Sequence, residues 1–201
     1  MHCARSFAFL LAVLLIGAAP ASAESAGAEP IRLDDQRVEA LAALPSLRGA
    51  AVTSEALAGK AVVVAFWASW CPPCHPEFDN LARLQETYGD AVAIVAVNIF
   101  EEFGRFTGTT RRDAFLGKKS PPFHVVAEGE QVAGLFQDVT RIPTVFVFAP
   151  DGRSVMHFIH HQGATKTHAS YEELRAEYAV MVDQLADSAD LFLCETMGAC
   201  F

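Results

Sequence analysis

The sequence predicts an α/β domain with a central mixed sheet and helices on both faces. Three observations carry that expectation. Residues 61–67 (AVVVAFW) and 91–97 (AVAIVAV) are continuously apolar and rich in β-branched side chains, the pattern of strands buried on both faces. Between them, Phe78, Leu81, Leu84 and Tyr88 recur at helical spacing, so the unit reads strand, helix, strand with a parallel crossover. Further on, Pro150, Asp151, Gly152 and Arg153 form a strong turn signal between residues 145–148 and 154–161, which reads as a hairpin.

The elements follow in chain order. Arg5 precedes an apolar run over residues 6–19, and Ala21, Ser22 and Ala23 supply small residues at cleavage spacing. Residues 1–23 therefore read as a secretory signal peptide, with an uncleaved anchor as the alternative. The run is short for a membrane span. Cys3 lies ahead of it, the wrong place for a lipidated cysteine, and is lost with the signal. Residues 24–43 read as an N-terminal extension with a flexible start, and a short helix is predicted over 38–44. The main domain is placed at residues 44–165. It opens with a small hairpin around Gly49, then one helical turn at 54–57 stopped by Gly59.

After the first buried strand, Pro72 and Pro73 fit the first helical turn, where a missing N–H costs nothing. Pro76 lies further in and is expected to kink the helix or cost a hydrogen bond. Gly89 ends the helix. Residues 100–110 read as a loop, 111–116 as a short helix, 123–127 as a short strand and 132–139 as one or two helical turns. Residues 166–201 form a C-terminal extension. Leu174, Tyr178, Met181, Val182 and Leu185 define an amphipathic helix over 171–185, and a cysteine-containing tail follows.

A formal net charge of −9 with no basic stripe argues against nucleic acid as the main ligand. Nothing matches a phosphate loop, a Ser–His–Asp set or a nucleotide fingerprint, and no cofactor is called for. Past residue 23 four cysteines remain: Cys71, Cys74, Cys194 and Cys200. An even count in an exported chain points to two pairs, and the short spacings are Cys71 with Cys74 and Cys194 with Cys200.

Cys71, Pro72, Pro73 and Cys74 stand between the buried strand and its helix. A thiol there meets unpartnered amide N–H groups and the positive end of the helix dipole. Both favour the thiolate, the nucleophile of disulfide exchange. The expected site is a redox pair in which Cys71 attacks and Cys74 resolves. The two prolines carry no N–H and no His lies between the cysteines, so the Cys71 thiolate is less stabilised than in strongly oxidising enzymes. Its disulfide is then harder to reduce, which favours a reductant.

Residues 59–74 (GKAVVVAFWASWCPPC), together with Ile142, Pro143, Thr144 and the turn at 150–153, resemble the TlpA/ResA-like exported thiol–disulfide oxidoreductases. That group has a thioredoxin fold and includes the cytochrome c maturation reductases. The resemblance runs over residues 44–158. It implies an exposed nucleophile at Cys71, a buried resolving thiol at Cys74, and Trp70 flanking and shielding the disulfide. It makes Pro143 the family's cis-proline, facing the pair. Ile142 would offer its backbone to an extended substrate strand, with Trp70, Pro72 and Pro73 as the other substrate contacts. The group carries an acidic residue at the position of Glu77, where a carboxyl can relay a proton to or from Cys74; a plain surface glutamate is the alternative. Ala65 stands where classical thioredoxins have a buried aspartate. The implied partners are proteins carrying thiols or disulfides and an upstream membrane electron donor, in the periplasm.

Two features depart from that group. Cys194 and Cys200 read as a structural disulfide tying down the tail, or as an auxiliary redox pair. His157, His160 and His161, with His168 nearby, suggest a copper or zinc site, and the alternative function is a copper-handling module that binds Cu(I) through Cys71 and Cys74 with His or Met assistance. Adjacent strand residues point to opposite faces, however, so a scatter of surface imidazoles is the simpler reading. A disulfide oxidase or isomerase differs from the reductant only in the direction of electron flow. His75, Arg111, Arg112, Lys118 and Lys119 are expected at solvated faces.

Overall fold

The structure, a computed structural model, describes residues 31–127, 129–159 and 165–176. Helix α1 (Asp35–Ala42) begins at Asp34, whose carboxylate accepts from the Arg37 N–H at 3.0 Å. Strand β1 (Ser46–Arg48) follows, then α2 (Ser54–Leu57), capped by Thr53. The central strand β2 (Ala61–Trp67) leads through a turn into α3 (Cys74–Tyr88), and β3 (Val92–Asn98) returns. Then come α4 (Thr110–Lys119), β4 (His124–Val126), α5 (Glu130–Ala133), β5 (Thr144–Phe148) and β6 (Ser154–Ile159). Residues 171–176 are helical.

The six strands form one mixed sheet in the order β1-β4-β3-β2-β5-β6. Strands β2, β3 and β4 run parallel; β5 is antiparallel to β2, and β6 to β5. The side-chain period of two divides the core. Ala61, Val63, Ala65 and Trp67 of β2 face one cluster with Phe78, Leu81 and Leu84 of α3 and both cysteines. Val62, Val64 and Phe66 face the other, with Leu41 of α1, Leu57 of α2 and Val132 of α5. Trp67 meets Phe78 edge-on at 4.5 Å between ring centres, a contact of about 0.5–1.5 kcal/mol beyond its burial. It fixes α3, and so the start of α3, against β2.

Two expectations need correction. No hairpin forms at residues 44–53. β1 instead pairs antiparallel with β4. Without β1, β4 would present an open row of backbone groups at the sheet edge. The connection past Gly49 is held by His124, whose Nδ1 lies 2.8 Å from the Ala50 carbonyl oxygen. Pro76 does not interrupt α3. It is the third residue of a helix that begins at Cys74, so its missing N–H falls among those that have no intrahelical acceptor anyway.

Candidate active site

Between β2 and α3 the chain winds through consecutive turns. The Cys71 N–H donates to the Ala68 carbonyl at 3.2 Å, Cys74 to Cys71 at 3.1 Å and His75 to Pro72 at 3.2 Å. Cys71 and Cys74 form a disulfide with their Cα atoms 5.4 Å apart. Pro73 occupies the cap position with no side-chain hydrogen bond to the helix. From residue 71 to residue 76 every amide N–H is therefore either absent, at three prolines, or already donated to a neighbouring carbonyl.

The expected exposed nucleophile is not found in this disulfide state. Cys71 is only 2% exposed and Cys74 fully buried, whereas Pro72 between them is exposed. Both cysteines are drawn into the cluster beneath the sheet, and Trp70 and Ile142 pack against that same cluster. The Trp70 indole N–H donates to the Phe100 carbonyl at 2.6 Å. Its ring stacks with Phe103 at 5.1 Å and Phe106 at 5.6 Å. Phe100 has φ +54°, a left-handed conformation rare for a bulky residue. Its N–H donates to Glu130 Oε1 at 2.9 Å, so both its backbone groups are committed.

A carboxylate fixes the turn from below. Glu101 Oε2 accepts from the Ser69 N–H at 3.1 Å and from Asn98 Nδ2 at 2.8 Å, while Oε1 pairs with the Ser69 hydroxyl. Asn98 also donates to the Trp67 carbonyl at 3.3 Å. His75 does not simply point to solvent: its Nε2 lies 3.1 Å from the Ser69 carbonyl oxygen, and its ring packs on Phe115. Lys119 likewise has a role at the site. Its Nζ donates to the His75 carbonyl at 3.2 Å and to Asp79 at 2.6 Å. Arg111 covers the Phe106 ring at 4.2 Å.

Glu77 is 2% exposed, and its Oε1 has no hydrogen-bond partner within the protein. Burial pushes its carboxyl up to about 8, against the pull of the Ala169 N–H toward the ionised form. Its burial, and not a place on the surface, is what favours the protonated form. Ala65 is buried on the same face of β2, with no acid there to compete. The Ile142–Pro143 peptide is cis. Thr144 pairs with Phe66 in an antiparallel register, so Pro143 falls level with Trp67, at the sheet end that leads to Cys71.

A match over most of the chain decides its family. Residues 27–174 match the Redoxin family. This chain belongs to the Redoxin family. Among its relatives, the thioredoxin-like protein YneN of Bacillus subtilis is 29% identical over 61% of this chain and 69% of its own length. The thiol-disulfide oxidoreductase ResA of the same organism is 30% identical over 56% and 60%. The thiol:disulfide interchange protein HelX of Rhodobacter capsulatus is 33% identical over 47% and 49%. The matched region thus spans about half to two thirds of these relatives. A solved thiol:disulfide interchange protein of the DsbE type from Chlorobium tepidum superposes with a TM-score of 0.55 at 26% identity, over 69% of this chain and 90% of its own. A secreted disulfide oxidoreductase of Mycobacterium tuberculosis gives 0.58 at 22% identity, over 73% and 99%, and shows the shared thioredoxin fold. A redoxin with a closed Cys-x-x-Cys pair at a helix start is built for thiol–disulfide exchange.

The remaining sequence candidates do not converge here. His157 stacks on Phe146 at 4.0 Å, and burial lowers its pKa. His168 Nδ1 contacts the Thr167 hydroxyl. Among the described residues no group of three or more His, Cys, Asp or Glu is placed to hold a metal, and no helix is long and apolar enough to cross a membrane. His160, His161, Cys194, Cys200 and residues 1–23 lie outside the described residues. Sequence reasoning missed Glu101, Phe103 and Phe106. The signal for the first was Asn98, a polar residue ending an apolar strand.

Proposed function

We propose that this redoxin is exported to the periplasm and reduces disulfides in partner proteins through Cys71 and Cys74. The observation that carries the direction is the committed state of the amides at residues 71–76. With none of them free, little is left to stabilise a Cys71 thiolate, and a less stable thiolate makes the dithiol the better electron donor. The form of residues 1–23 supports export.

In the forward step the Cys71 thiolate attacks one sulfur of the substrate disulfide. That S–S bond breaks, a mixed disulfide forms, and the departing thiolate takes a proton from water. The ionised fraction of Glu77, about a tenth at pH 7 and more as pH rises, then takes the Cys74 thiol proton as Cys74 attacks the Cys71 sulfur and expels the second substrate thiolate. Two electrons have moved to the substrate, the protein holds the Cys71–Cys74 disulfide, and Glu77 holds the proton. A buried Glu77 with a carboxyl at about 8 is suited to that role. Trp70 and Ile142 border the site for an extended substrate segment, with Pro143 beside them and Pro72 and Pro73 at its mouth. An upstream membrane electron donor restores the dithiol. The resemblance to the group that includes cytochrome c maturation reductases nominates that pathway.

The test is a Cys74→Ala variant expressed with its signal intact. It should accumulate mixed disulfides with periplasmic proteins, which reductant dissolves and Cys71→Ser abolishes. Stoichiometric Cu(I) binding by the unaltered protein with no trapped partner would instead favour a copper-handling role.

A further inference from the structure

We propose that residues 166–174 form a cap that seals Glu77 from water, with Asn80, Ser170 and Glu173 as positioning residues for the Glu77 carboxyl. The proposal rests on Glu77 as the proton carrier of the exchange reaction. Glu77, Asn80, Arg83 and Thr87 make a stripe along α3 at spacings of three and four residues, one face of the helix. Every member of the stripe meets the same downstream segment. The Ala169 N–H reaches Glu77, and the Ala169 carbonyl accepts from Asn80 Nδ2 at 3.1 Å. The Arg83 guanidinium covers the Tyr171 ring at 3.8 Å, and Thr87 Oγ1 meets the Tyr171 hydroxyl at 3.0 Å. Ala169 and Leu174 are fully buried in the cluster that contains both cysteines.

What holds Ala169 in place is a reciprocal helix cap. The Glu173 N–H donates to Ser170 Oγ at 3.3 Å, and the Ser170 N–H donates to Glu173 Oε2 at 3.0 Å, which is a capping box. Lys166 Nζ closes it on Glu173 Oε1 at 2.5 Å. Ala169 is the residue immediately before this cap, so fixing Ser170 fixes the group that covers Glu77.

The ionisable groups on the surrounding elements are paired elsewhere or, like Glu86, Glu172 and Arg175, exposed to solvent. On α3, His75 bonds the Ser69 carbonyl, Asp79 pairs with Lys119 of α4, and Arg83 covers Tyr171. On the cap, His168 contacts Thr167 and Glu173 pairs with Lys166. On the site turn, Cys71 and Cys74 are joined to each other. Exclusion of water by the cap is therefore what keeps Glu77 protonated. Opening the cap removes the Ala169 N–H as well, but burial is the larger influence, so the net effect is a fall toward the ordinary carboxylate range.

The experiment follows the Glu77 carboxyl by carbon NMR through a pH titration of the full oxidised chain, its signal assigned by loss in Glu77→Gln. In the unaltered protein it should titrate near 8, so about nine-tenths is protonated at pH 7. In Ser170→Ala/Glu173→Gln the midpoint should fall by at least a unit, leaving at most about half protonated at pH 7. Asn80→Ala, a smaller change, should move it the same way, and the pH profile of the resolving step should shift with it. An unchanged midpoint in either variant, with native near-UV circular dichroism, would overturn the cap. If Glu77→Gln leaves the pH profile of resolution unaltered, the proton-carrier reading fails on its own, because the titration reads the cap separately.

Discussion

Glu77 gives the protein a pH response of unusual sign. Its carboxyl is raised from 4.5 to about 8 in the fold, chiefly by desolvation. Between those values the folded chain binds a proton that the unfolded chain has released. Stability therefore falls as pH rises through the window, by at most about 1.4 kcal/mol per pH unit, and levels off on either side. Glu77→Gln should remove that slope and stabilise the oxidised protein at neutral pH. Urea unfolding at pH 5, 6, 7 and 8 checks it; parallel profiles for the two proteins would contradict the assignment. Glu173 has the opposite sign. Lys166 and the Ser170 N–H lower it to about 2, so its small, largely exposed contribution is present above about 4.5 and fades as pH falls toward 2.

Among elements, the loop between β3 and α4 governs the site as much as α3 does. Glu101→Ala would leave the Ser69 N–H without its acceptor and Asn98 Nδ2 with the Trp67 carbonyl alone. Ser69 and Asn98 are both buried, so the expected cost is about 1–3 kcal/mol in equilibrium unfolding, together with a red-shifted Trp70 emission as the turn loosens. A change below a few tenths of a kcal/mol would show that the carboxylate does not hold the turn. The strands and α3 were legible in the sequence because burial imposes periodicity, and the Cys pair because it sits where a strand becomes a helix. The partner of β1 was not legible, since edge pairing depends on which strand is left uncovered rather than on the local pattern. Nor was the loop's role, because Glu101 and Ser69 meet across 32 residues. Nothing local marks Gly129 either, yet a Cβ there would clash with Val97 Cγ1. For Glu77 the residue was legible and its burial was not, because the cover comes from residues about ninety positions downstream.

At the scale of the whole molecule, one sheet end gathers what exchange chemistry needs. The parallel β2–α3–β3 unit presents the disulfide, the antiparallel β5 brings Pro143 level with Trp67, and the C-terminal segment closes over Glu77. The direction of electron flow depends on how weakly this assembly stabilises the Cys71 thiolate. The most direct measurement is the equilibrium reduction potential of the Cys71–Cys74 couple in a defined thiol–disulfide buffer at pH 7. A reductant with three prolines and three committed amides at residues 71–76 should lie toward the thioredoxin end, about −270 mV. A value near the strongly oxidising end, about −120 mV, would contradict it.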